Sequence, residues 1–343
     1  MRKLLNTLYV TTPDAYLSLD GENVVVLKDD KKLLNVPLHN LESIVTFGYT
    51  GASPALMGTC ADKGIALAFC TAYGRFLASV TGETQGNVVL RRTQYRAADD
   101  DKQSLDIARN IIIGKLHNSR WVLERATRDH AERLDVERIK QAGRLIMELV
   151  HDANGTETYG ALLGIEGNAA SRYFSVFDEL ILQSKDAFFF KERSRRPPLD
   201  NVNALLSFIY TMLANDVAAA LSAVGLDPFV GFLHKDRPGR RSLALDLMEE
   251  LRAPLADRFV LTMINTRQVN ADDFKQRENG AVYLSDSARK TVLTAWQTRK
   301  QSQIEHPFLK EKIEWGLVPH TQVLLLARYF RGDLDAYPPF LWK

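Results

Sequence analysis

The sequence changes its hydrophobic period at residues 99–127, DDDKQSLDIARNIIIGKLHNSRWVLERAT. From Asp99 onward apolar residues recur at the three- and four-residue spacing of amphipathic helices. Long helices are predicted near residues 102–127, 131–150, 157–184, 201–224, 242–264, 285–305 and 309–331. Asp200 and Gly225 are typical caps for the fourth of these helices. The pattern predicts an all-helical domain over residues 101–343.

Upstream of this stretch, apolar residues come in short runs such as Val24–Leu27 and Ile65–Phe69, separated by turn signals. Such runs are typical of strands and hairpins. Ser53 followed by Pro54, with Gly64 downstream, predicts one helix over residues 54–63. The fold class is therefore α+β and multidomain. A small N-terminal β-rich domain (residues 1–90) and a linker (residues 91–100) precede the larger all-α-helical domain.

The composition favours a folded, cytoplasmic protein. The 343 residues carry 44 Lys and Arg against 42 Asp and Glu, a net charge of +2 that indicates no particular class of partner. Cys60 and Cys70 are the two cysteines, which excludes a disulfide framework and a Cys-x-x-Cys pair and favours a reducing cytosol. The longest apolar runs fall short of the ~20 residues that a membrane span requires.

Several motifs of common enzymes are absent. The chain has no phosphate-binding Gly-x-x-x-x-Gly-Lys-Ser/Thr or Gly-x-Gly-x-x-Gly pattern, so nucleotide-driven chemistry loses support. It also has no His-Glu-x-x-His and no Gly-x-Ser-x-Gly motif, which removes the simplest zinc-protease and serine-hydrolase interpretations. Carboxylates and seven histidines remain as candidate functional groups.

Glu166 is the most informative single residue. On a helix it shares a face with Leu162, Ala169 and Tyr173, which places a carboxylate in an apolar stripe. A buried carboxylate is costly unless it is paired, protonated or bound to a metal. Two interpretations stay open, an ion pair with a nearby arginine and a functional ligand.

A second group of candidates lies further along the chain. His234 ends the run Gly231-Phe232-Leu233-His234, and Asp246 precedes Glu249 and Glu250 by three and four residues. These spacings put the carboxylates on adjoining positions of one helix face. By themselves they are typical of a solvated acidic face. With His234 and Glu166 they form an oxygen-rich set that suits a hard divalent ion such as Mg²⁺ or Mn²⁺.

Two loops concentrate positive charge next to predicted helix starts, as expected for contacts with a nucleic-acid backbone. Solvated loops without a ligand are the alternative. The predicted DNA-binding residues are Lys191, Arg193, Arg195, Arg196, Lys235, Arg237, Arg240 and Arg241.

These residues resemble the universal CRISPR-associated integrase, the Cas-one family, with type I members the most similar. The resemblance rests on four motifs in the family's order, over nearly the whole chain. They are Ala61-Asp62-Lys63-Gly64-Ile65-Ala66-Leu67-Ala68-Phe69 followed by Gly74-Arg75-Phe76, Gly164-Ile165-Glu166-Gly167, Gly231-Phe232-Leu233-His234, and Asp246-Leu247-Met248-Glu249-Glu250-Leu251-Arg252.

The resemblance implies a site and a cofactor. Glu166, His234 and Glu249 match the family's catalytic metal ligands for Mg²⁺ or Mn²⁺, and Asp246 matches a supporting or alternate carboxylate. The choice of Glu249 over the adjacent Glu250 rests on the family's Asp-x-x-Glu spacing alone.

The resemblance also implies a reaction and partners. The 3′-hydroxyl ends of short DNA fragments would be joined into the CRISPR array by transesterification, alongside metal-dependent DNA endonuclease activity. The expected partners are spacer-precursor and repeat DNA, a second copy of the chain bound through the β-rich domain, the small Cas-two protein that bridges two dimers, and in some systems a Cas nuclease.

Two alternatives remain open. The chain could be a non-catalytic DNA-binding scaffold of the adaptation complex, or a metal hydrolase that acts on small molecules. The intact His and carboxylate set argues against the scaffold, and the basic loops have no role in a small-molecule hydrolase.

Overall fold

The computed structural model describes residues 6–72, 74, 76–80 and 88–343. These residues divide into two compact units. One comprises the chain up to residue 86 together with residues 284–302, and the other comprises residues 87–283 and 303–343. Four parts of the predicted β-rich domain lie outside the described residues, namely residues 1–5, residue 73, Arg75 of the Gly74-Arg75-Phe76 motif, and residues 81–87.

The first unit contains two four-stranded sheets. Its described strands are β1 (Thr7–Val10), β2 (Tyr16–Asp20), β3 (Asn23–Lys28), β4 (Lys31–Pro37), β5 (Ser43–Phe47), β6 (Gly51–Ala52), β7 (Ala66–Cys70) and β8 (Phe76–Val80). One sheet has the order β1-β5-β7-β8, with β5 parallel to both neighbours and β8 antiparallel to β7. The other has the order β4-β3-β2-β6, antiparallel except for the β2–β6 pair. The prediction of an N-terminal β-rich region is confirmed.

Helix α1 (Pro54–Asp62) shares one core with the two sheets. The Ser53 hydroxyl caps it by accepting the Leu56 N–H at 3.2 Å, as predicted from the Ser-Pro pair. Leu56 packs with Leu17 of one sheet and Ile44 of the other, and all three are fully buried. The core therefore lies between the two sheets and α1.

Helices dominate the rest of the chain. They are α2 (Val88–Asp99), α3 (Asp101–Asp129), α4 (Val136–Asn154), α5 (Tyr159–Ser175), α6 (Asn201–Val224), α7 (Ser242–Leu251), α8 (Arg258–Asn265), α9 (Asp286–Gln301) and α10 (Val318–Phe330). Short 3₁₀ helices occupy Leu38–Asn40, Ala131–Arg133, Phe177–Leu180, Ala271–Asp273 and Trp315–Leu317. The α+β fold class is confirmed.

The region predicted to be all-helical, residues 101–343, also contains strands. The pairs are β9 (Phe274–Gln276) with β10 (Val282–Leu284), and β11 (Gln303–Glu305) with β12 (Lys312–Glu314). The predicted helices 285–305 and 309–331 overran β11 and β12, since strands of three residues are too short to show a period.

The predicted helix over residues 242–264 is interrupted. Residues Arg252–Asp257 form a π-helical segment between α7 and α8. Pro254 lies in this segment, and it has no backbone N–H for the regular helical ladder. Helix α6, in contrast, begins and ends at the predicted residues. The Asp200 side chain accepts the Asn203 N–H at 2.7 Å, and Gly225 ends the helix with a φ of +93°.

The two units differ from the predicted domains in two places. Most of the predicted linker, residues 91–100, lies in α2, whose buried Leu90, Gln94 and Ala97 follow helical spacing. Helix α9 belongs to the first unit, where Arg289 lies over the Phe47 ring at 5.8 Å from its centre. Sequence period predicts such a helix but does not say which core it joins.

Helix α6 alone, among the described helices, is long and apolar enough to cross a membrane by length and composition. Of its most apolar 18 residues, 61% are buried inside the protein. It packs against α7 and α10, so we assign it to the core of the helical unit.

Candidate metal centre

Three helices bring the central charged residues together. Helix α3 packs against both α5 and α7 and provides Lys115, while α5 provides Glu166 and α7 provides Glu249. The approach of α3 to α7 is close at Gly114, where an added Cβ would lie 3.1 Å from the Glu250 side chain. Glycine at this position allows α7 to lie against α3.

The Lys115 ammonium lies between the two glutamates. It forms an ion pair with Glu166 Oε1 and lies 2.9 Å from Glu249 Oε2. The side chains of Lys115, Glu166 and Glu249 are 13%, 27% and 4% exposed. Leu162, Ala169 and Tyr173 of the predicted apolar stripe are buried, whereas Glu166 itself is partly exposed and pairs with a lysine, where the alternative was an arginine.

Glu249 is held in its ionised form. Arg252 NH1 lies 3.0 Å from its Oε1, so the carboxylate has a cation on each oxygen. Burial would raise the pKa of Glu249, but attraction to Arg252 and Lys115 outweighs burial and lowers that pKa to about 2. Its Oε2 accepts no well-directed hydrogen bond from the described residues. This buried oxygen therefore meets its cation, the Lys115 ammonium, through charge attraction and not through a directed hydrogen bond.

Asp246 shapes the loop that carries His234. Its Oδ2 accepts the N–H groups of Phe232 and Leu233 at 2.6 and 3.0 Å, and its Oδ1 accepts the His234 N–H at 2.9 Å. A Cβ on Gly231 would lie 2.8 Å from Asp246 Oδ2, so glycine is required there. Asp246 is fully buried and serves as a supporting residue.

The same carboxylate fixes the imidazole. His234 Nδ1 lies 2.7 Å from Asp246 Oδ1. When the ring is neutral and its Nδ1–H donates to this carboxylate, Nε2 keeps its lone pair. A carboxylate behind the distal nitrogen is the usual arrangement for a metal-binding histidine.

Glu250 faces a different environment from its neighbour. It accepts hydrogen bonds from Tyr337 Oη at 2.8 Å, the Phe340 N–H at 2.7 Å and Gln322 Nε2 at 3.0 Å. Burial raises its pKa to about 8. The carboxylate is thus held by α10 and the segment 337–340, away from Lys115.

The interpretation of α7 as a solvated acidic face is wrong. Asp246, Glu249 and Glu250 are 0%, 3% and 0% exposed. The described residues contain no ready group of three His, Cys, Asp or Glu side chains with the spacing of a metal site. The structure instead joins Glu166 and Glu249 through Lys115. His234 is held by Asp246, which precedes Glu249 by one helical turn on α7.

The donor set fits a hard divalent ion. Two carboxylates and a neutral imidazole are ligands that Mg²⁺ and Mn²⁺ accept. Gly164 and Gly167, on either side of Glu166, leave open space, since a Cβ at either position would meet no atom within 4 Å. The Glu166 side chain itself is 27% exposed, so a ligand can reach its carboxylate from solvent.

Lys115 and Arg252 are functional candidates that the sequence reasoning missed. A signal existed for Lys115, because it shares the α3 stripe with Ile107, Ile111 and Asn118, which are buried. A lysine in such a stripe needs an anionic partner. For Arg252, the signal was its i,i+3 spacing from Glu249.

The structure separates the eight predicted DNA-binding residues into two groups. Arg193 donates to Asn203 Oδ1 at 2.5 Å, Arg240 donates to Ser242 Oγ at 3.2 Å, and Arg241 donates to Asn215 Oδ1 at 3.1 Å. These three are partly buried and hold loops in place. The exposed residues are Lys191, Arg195, Arg196, Lys235 and Arg237.

Known proteins are similar to this chain in sequence. The family model for CRISPR associated protein Cas1 matches residues 8–298. CRISPR-associated endonuclease Cas1 1 from Chlorobaculum tepidum is 51% identical over 343 residues, which is all of both chains. A CRISPR-associated exonuclease Cas4/endonuclease Cas1 fusion from Geobacter sulfurreducens is 36% identical, over 98% of this chain and 60% of the fusion.

Solved structures of other proteins share the fold of this chain. A casposase bound to integration product has a TM-score of 0.84 at 21% identity, with 98% of this chain and 93% of that chain covered. The Cas6-RT-Cas1-Cas2 complex has a TM-score of 0.82 at 26% identity, with 98% of this chain and 36% of that chain covered. On the family match and the full-length relative, the chain belongs to the Cas1 family of CRISPR-associated proteins.

Proposed function

We propose that this protein is a divalent-metal-dependent DNA endonuclease and integrase of CRISPR adaptation. The observation that carries the proposal is the pairing of Glu166 with Glu249 around one buried cation, next to a histidine fixed by Asp246. The endonuclease name of the full-length relative and the integration product bound by the casposase support the same reaction class.

Glu166, Glu249 and His234 Nε2 would hold Mg²⁺ or Mn²⁺. When bound, such an ion supplies Lewis-acid activation of a hydroxyl and stabilises the charge that develops on a phosphoryl group. Arg252 keeps Glu249 ionised, and Asp246 keeps the His234 ring in the tautomer that leaves Nε2 unprotonated. These two residues prepare the ligands before substrate binds.

The proposed reaction exchanges one phosphodiester for another. The 3′-hydroxyl of an incoming fragment gives up its proton, and its oxygen bonds to a phosphorus of the CRISPR repeat. The bond from that phosphorus to the target strand's bridging oxygen breaks, and the released oxygen takes up a proton, so that no net proton is consumed. With water as nucleophile, the same displacement is endonucleolytic hydrolysis. Bond energy is conserved in the exchange, which agrees with the absence of a phosphate-binding loop.

Tyr173 is not a nucleophile in this scheme. Its side chain is buried, and its hydroxyl donates to Asp257 Oδ2 at 3.1 Å. Burial raises its pKa well above the usual value. The hydroxyl belongs to the core, so the reaction needs no covalent protein intermediate.

The proposed partners are DNA, a second copy of the chain, Cas2 and, in some systems, a Cas nuclease such as Cas4. The exposed Lys191, Arg195, Arg196, Lys235 and Arg237 would contact DNA phosphates. Cas2 in the Cas6-RT-Cas1-Cas2 complex and Cas4 in the Cas4/Cas1 fusion support the last two partners. We place the protein in the cytoplasm, where CRISPR DNA lies.

A strand-transfer assay tests the function. Supercoiled CRISPR-array plasmid, a short duplex with free 3′-hydroxyls and Cas2 are incubated with Mn²⁺ or with EDTA. Wild type should join the duplex to the plasmid with Mn²⁺ and not with EDTA, and His234→Ala should lose joining. His151→Ala is the matched control, because His151 is exposed at the end of α4, and it should retain activity.

The same assay separates the alternatives. Salt-dependent DNA binding by wild type without joining would favour the scaffold. Joining that persists in His234→Ala would reject the ligand assignment.

A further inference from the structure

Lys115 has a place in the candidate centre that the proposed reaction does not explain. Its ammonium contacts Glu166 and lies 2.9 Å from Glu249 Oε2, the same two groups that would bind a divalent ion. Only 13% of the lysine side chain is exposed. A cation is therefore present between the carboxylates before any metal arrives.

The carboxylates need this cation. Glu166 and Glu249 come from different helices, and both contact the same ammonium. Without it, two negative charges would face each other at low exposure, where repulsion is poorly screened. Arg252 would still offset the charge of Glu249, but within the described part of the chain no second ion pair reaches Glu166.

Lys115 and a divalent ion would compete for the same oxygens. Like charges repel strongly at this distance, so the ammonium and the ion do not share the carboxylates in their present places. Lysine has a flexible four-carbon stem and a single point charge, which allows it to withdraw. Arg252, in contrast, lies over the Tyr210 ring at 5.0 Å from its centre and is the more fixed cation.

We propose that Lys115 is a tethered cation that occupies the Glu166–Glu249 pair in the metal-free enzyme and is displaced when Mg²⁺ or Mn²⁺ binds. The inference rests on the proposed metal site and adds a positioning residue to it. Lys115 keeps the two carboxylates together without metal, and its displacement lowers the apparent affinity of the site for the ion.

Direct Mn²⁺ binding tests the inference without any activity measurement. Mn²⁺ is titrated calorimetrically into metal-stripped wild type, Lys115→Met, Glu166→Gln and Lys185→Met. Lys115→Met should bind Mn²⁺ about tenfold more tightly than wild type, the factor that corresponds to about 1.4 kcal/mol of relieved competition. Lys185→Met is the matched control, since Lys185 pairs with Asp178 on the surface, and its Mn²⁺ affinity should equal that of wild type.

Thermal unfolding in EDTA gives a second readout. Lys115→Met should unfold at a lower temperature than wild type in EDTA, and Mn²⁺ should restore more of its stability than it adds to wild type. If Lys115→Met does not fold without metal, it is purified with Mn²⁺ and stripped by graded EDTA. The variant should then retain Mn²⁺ at an EDTA concentration about tenfold higher than the one that strips wild type.

The two proposals fail in different ways. Equal or weaker Mn²⁺ binding by Lys115→Met, together with loss of binding in Glu166→Gln, would overturn the tethered-cation role and keep the metal site. Unchanged Mn²⁺ binding in Glu166→Gln would overturn the metal site itself, and the role of Lys115 with it.

Discussion

Two consecutive glutamates on α7 have pKa values that are shifted in opposite directions. Glu249 faces Lys115 and Arg252, and its pKa falls to about 2. Glu250 faces Gln322, Tyr337 and the Phe340 N–H, and burial raises its pKa to about 8. Successive positions on an α-helix point about 100° apart, so neighbours in sequence enter different parts of the protein.

The comparison teaches that burial alone does not make a carboxylate functional. Both side chains are almost fully buried. Glu249 meets two cations, Lys115 and Arg252, whereas Glu250 meets neutral donors that are themselves part of the core. The distinguishing property is the charge of the partners, which sets whether the carboxylate stays ionised.

The largest expected effect is the difference in strand transfer between the amide variants of these two carboxylates. Glu249→Gln should reduce strand transfer by about 10²-fold or more, because a charged ligand is lost at the reacting centre. Glu250→Gln should stay within about threefold of wild type, because a neutral amide reproduces the neutral form of a buried acid.

The strand-transfer assay with Mn²⁺ measures both variants side by side, and each is the control for the other. Equal losses of strand transfer in the two variants would contradict the conclusion that Glu249 is functional and Glu250 is structural.

Asp246 tests whether the support behind His234 matters. Asp246→Asn places an amide nitrogen among backbone N–H donors and weakens the hold on the ring. We expect a loss of about 10- to 100-fold in strand transfer, as for other residues that orient metal ligands.

Asp236→Asn, in an exposed part of the same loop, should have no such effect. An Asp246→Asn enzyme with wild-type activity would show that the His234 loop holds its shape without this carboxylate.

Tyr337 tests the other face of α7. Tyr337→Phe removes the hydroxyl that donates to Glu250 and accepts from Gln322. The free energy of unfolding in urea should fall by about 1–2 kcal/mol, the cost of an unmet buried hydrogen bond.

Strand transfer below the unfolding transition should stay near the wild-type level. Tyr329→Phe, on the half-buried part of α10, is the stability control. A selective loss of activity in Tyr337→Phe would show that the Glu250 face also tunes the reaction.

The smallest expected effect concerns the surface cations. Lys235→Ala and Arg237→Ala should each lower the slope of log K for DNA binding against log salt by about one, the contribution of a single phosphate contact. Arg331→Ala, exposed just after α10, is the matched control. An equal effect of Arg331→Ala on the salt dependence would mean that DNA binding does not favour the loop that follows His234.

Much of the fold was predictable from the sequence because local signals agreed with tertiary structure. The caps of α6 and the Ser53-Pro54 start of α1 are examples, since both satisfy helix ends with adjacent residues. The short strands β11 and β12 were missed because three residues give no period.

The candidate site was predictable only in part. The apolar stripe around Glu166 indicated a buried carboxylate, but the Glu166 side chain is 27% exposed and pairs with Lys115. The choice between Glu249 and Glu250 depended on family spacing, because both are acidic and adjacent. Arg193 was predicted to bind DNA, but its guanidinium donates to Asn203, which sequence spacing alone does not reveal.

Helix α9 has a consequence for how the protein is made. The first unit is built from residues up to 86 and from residues 284–302, and in α9 the side chains of Val292 and Trp296 are fully buried. At about 5–20 residues per second, translation of the roughly 200 intervening residues takes about 10–40 s. During that time the nascent β sheets lack a helix of their own core. We therefore expect a fragment that ends near residue 90 to expose an apolar surface and to aggregate, whereas a version with α9 joined by a short linker should remain in solution.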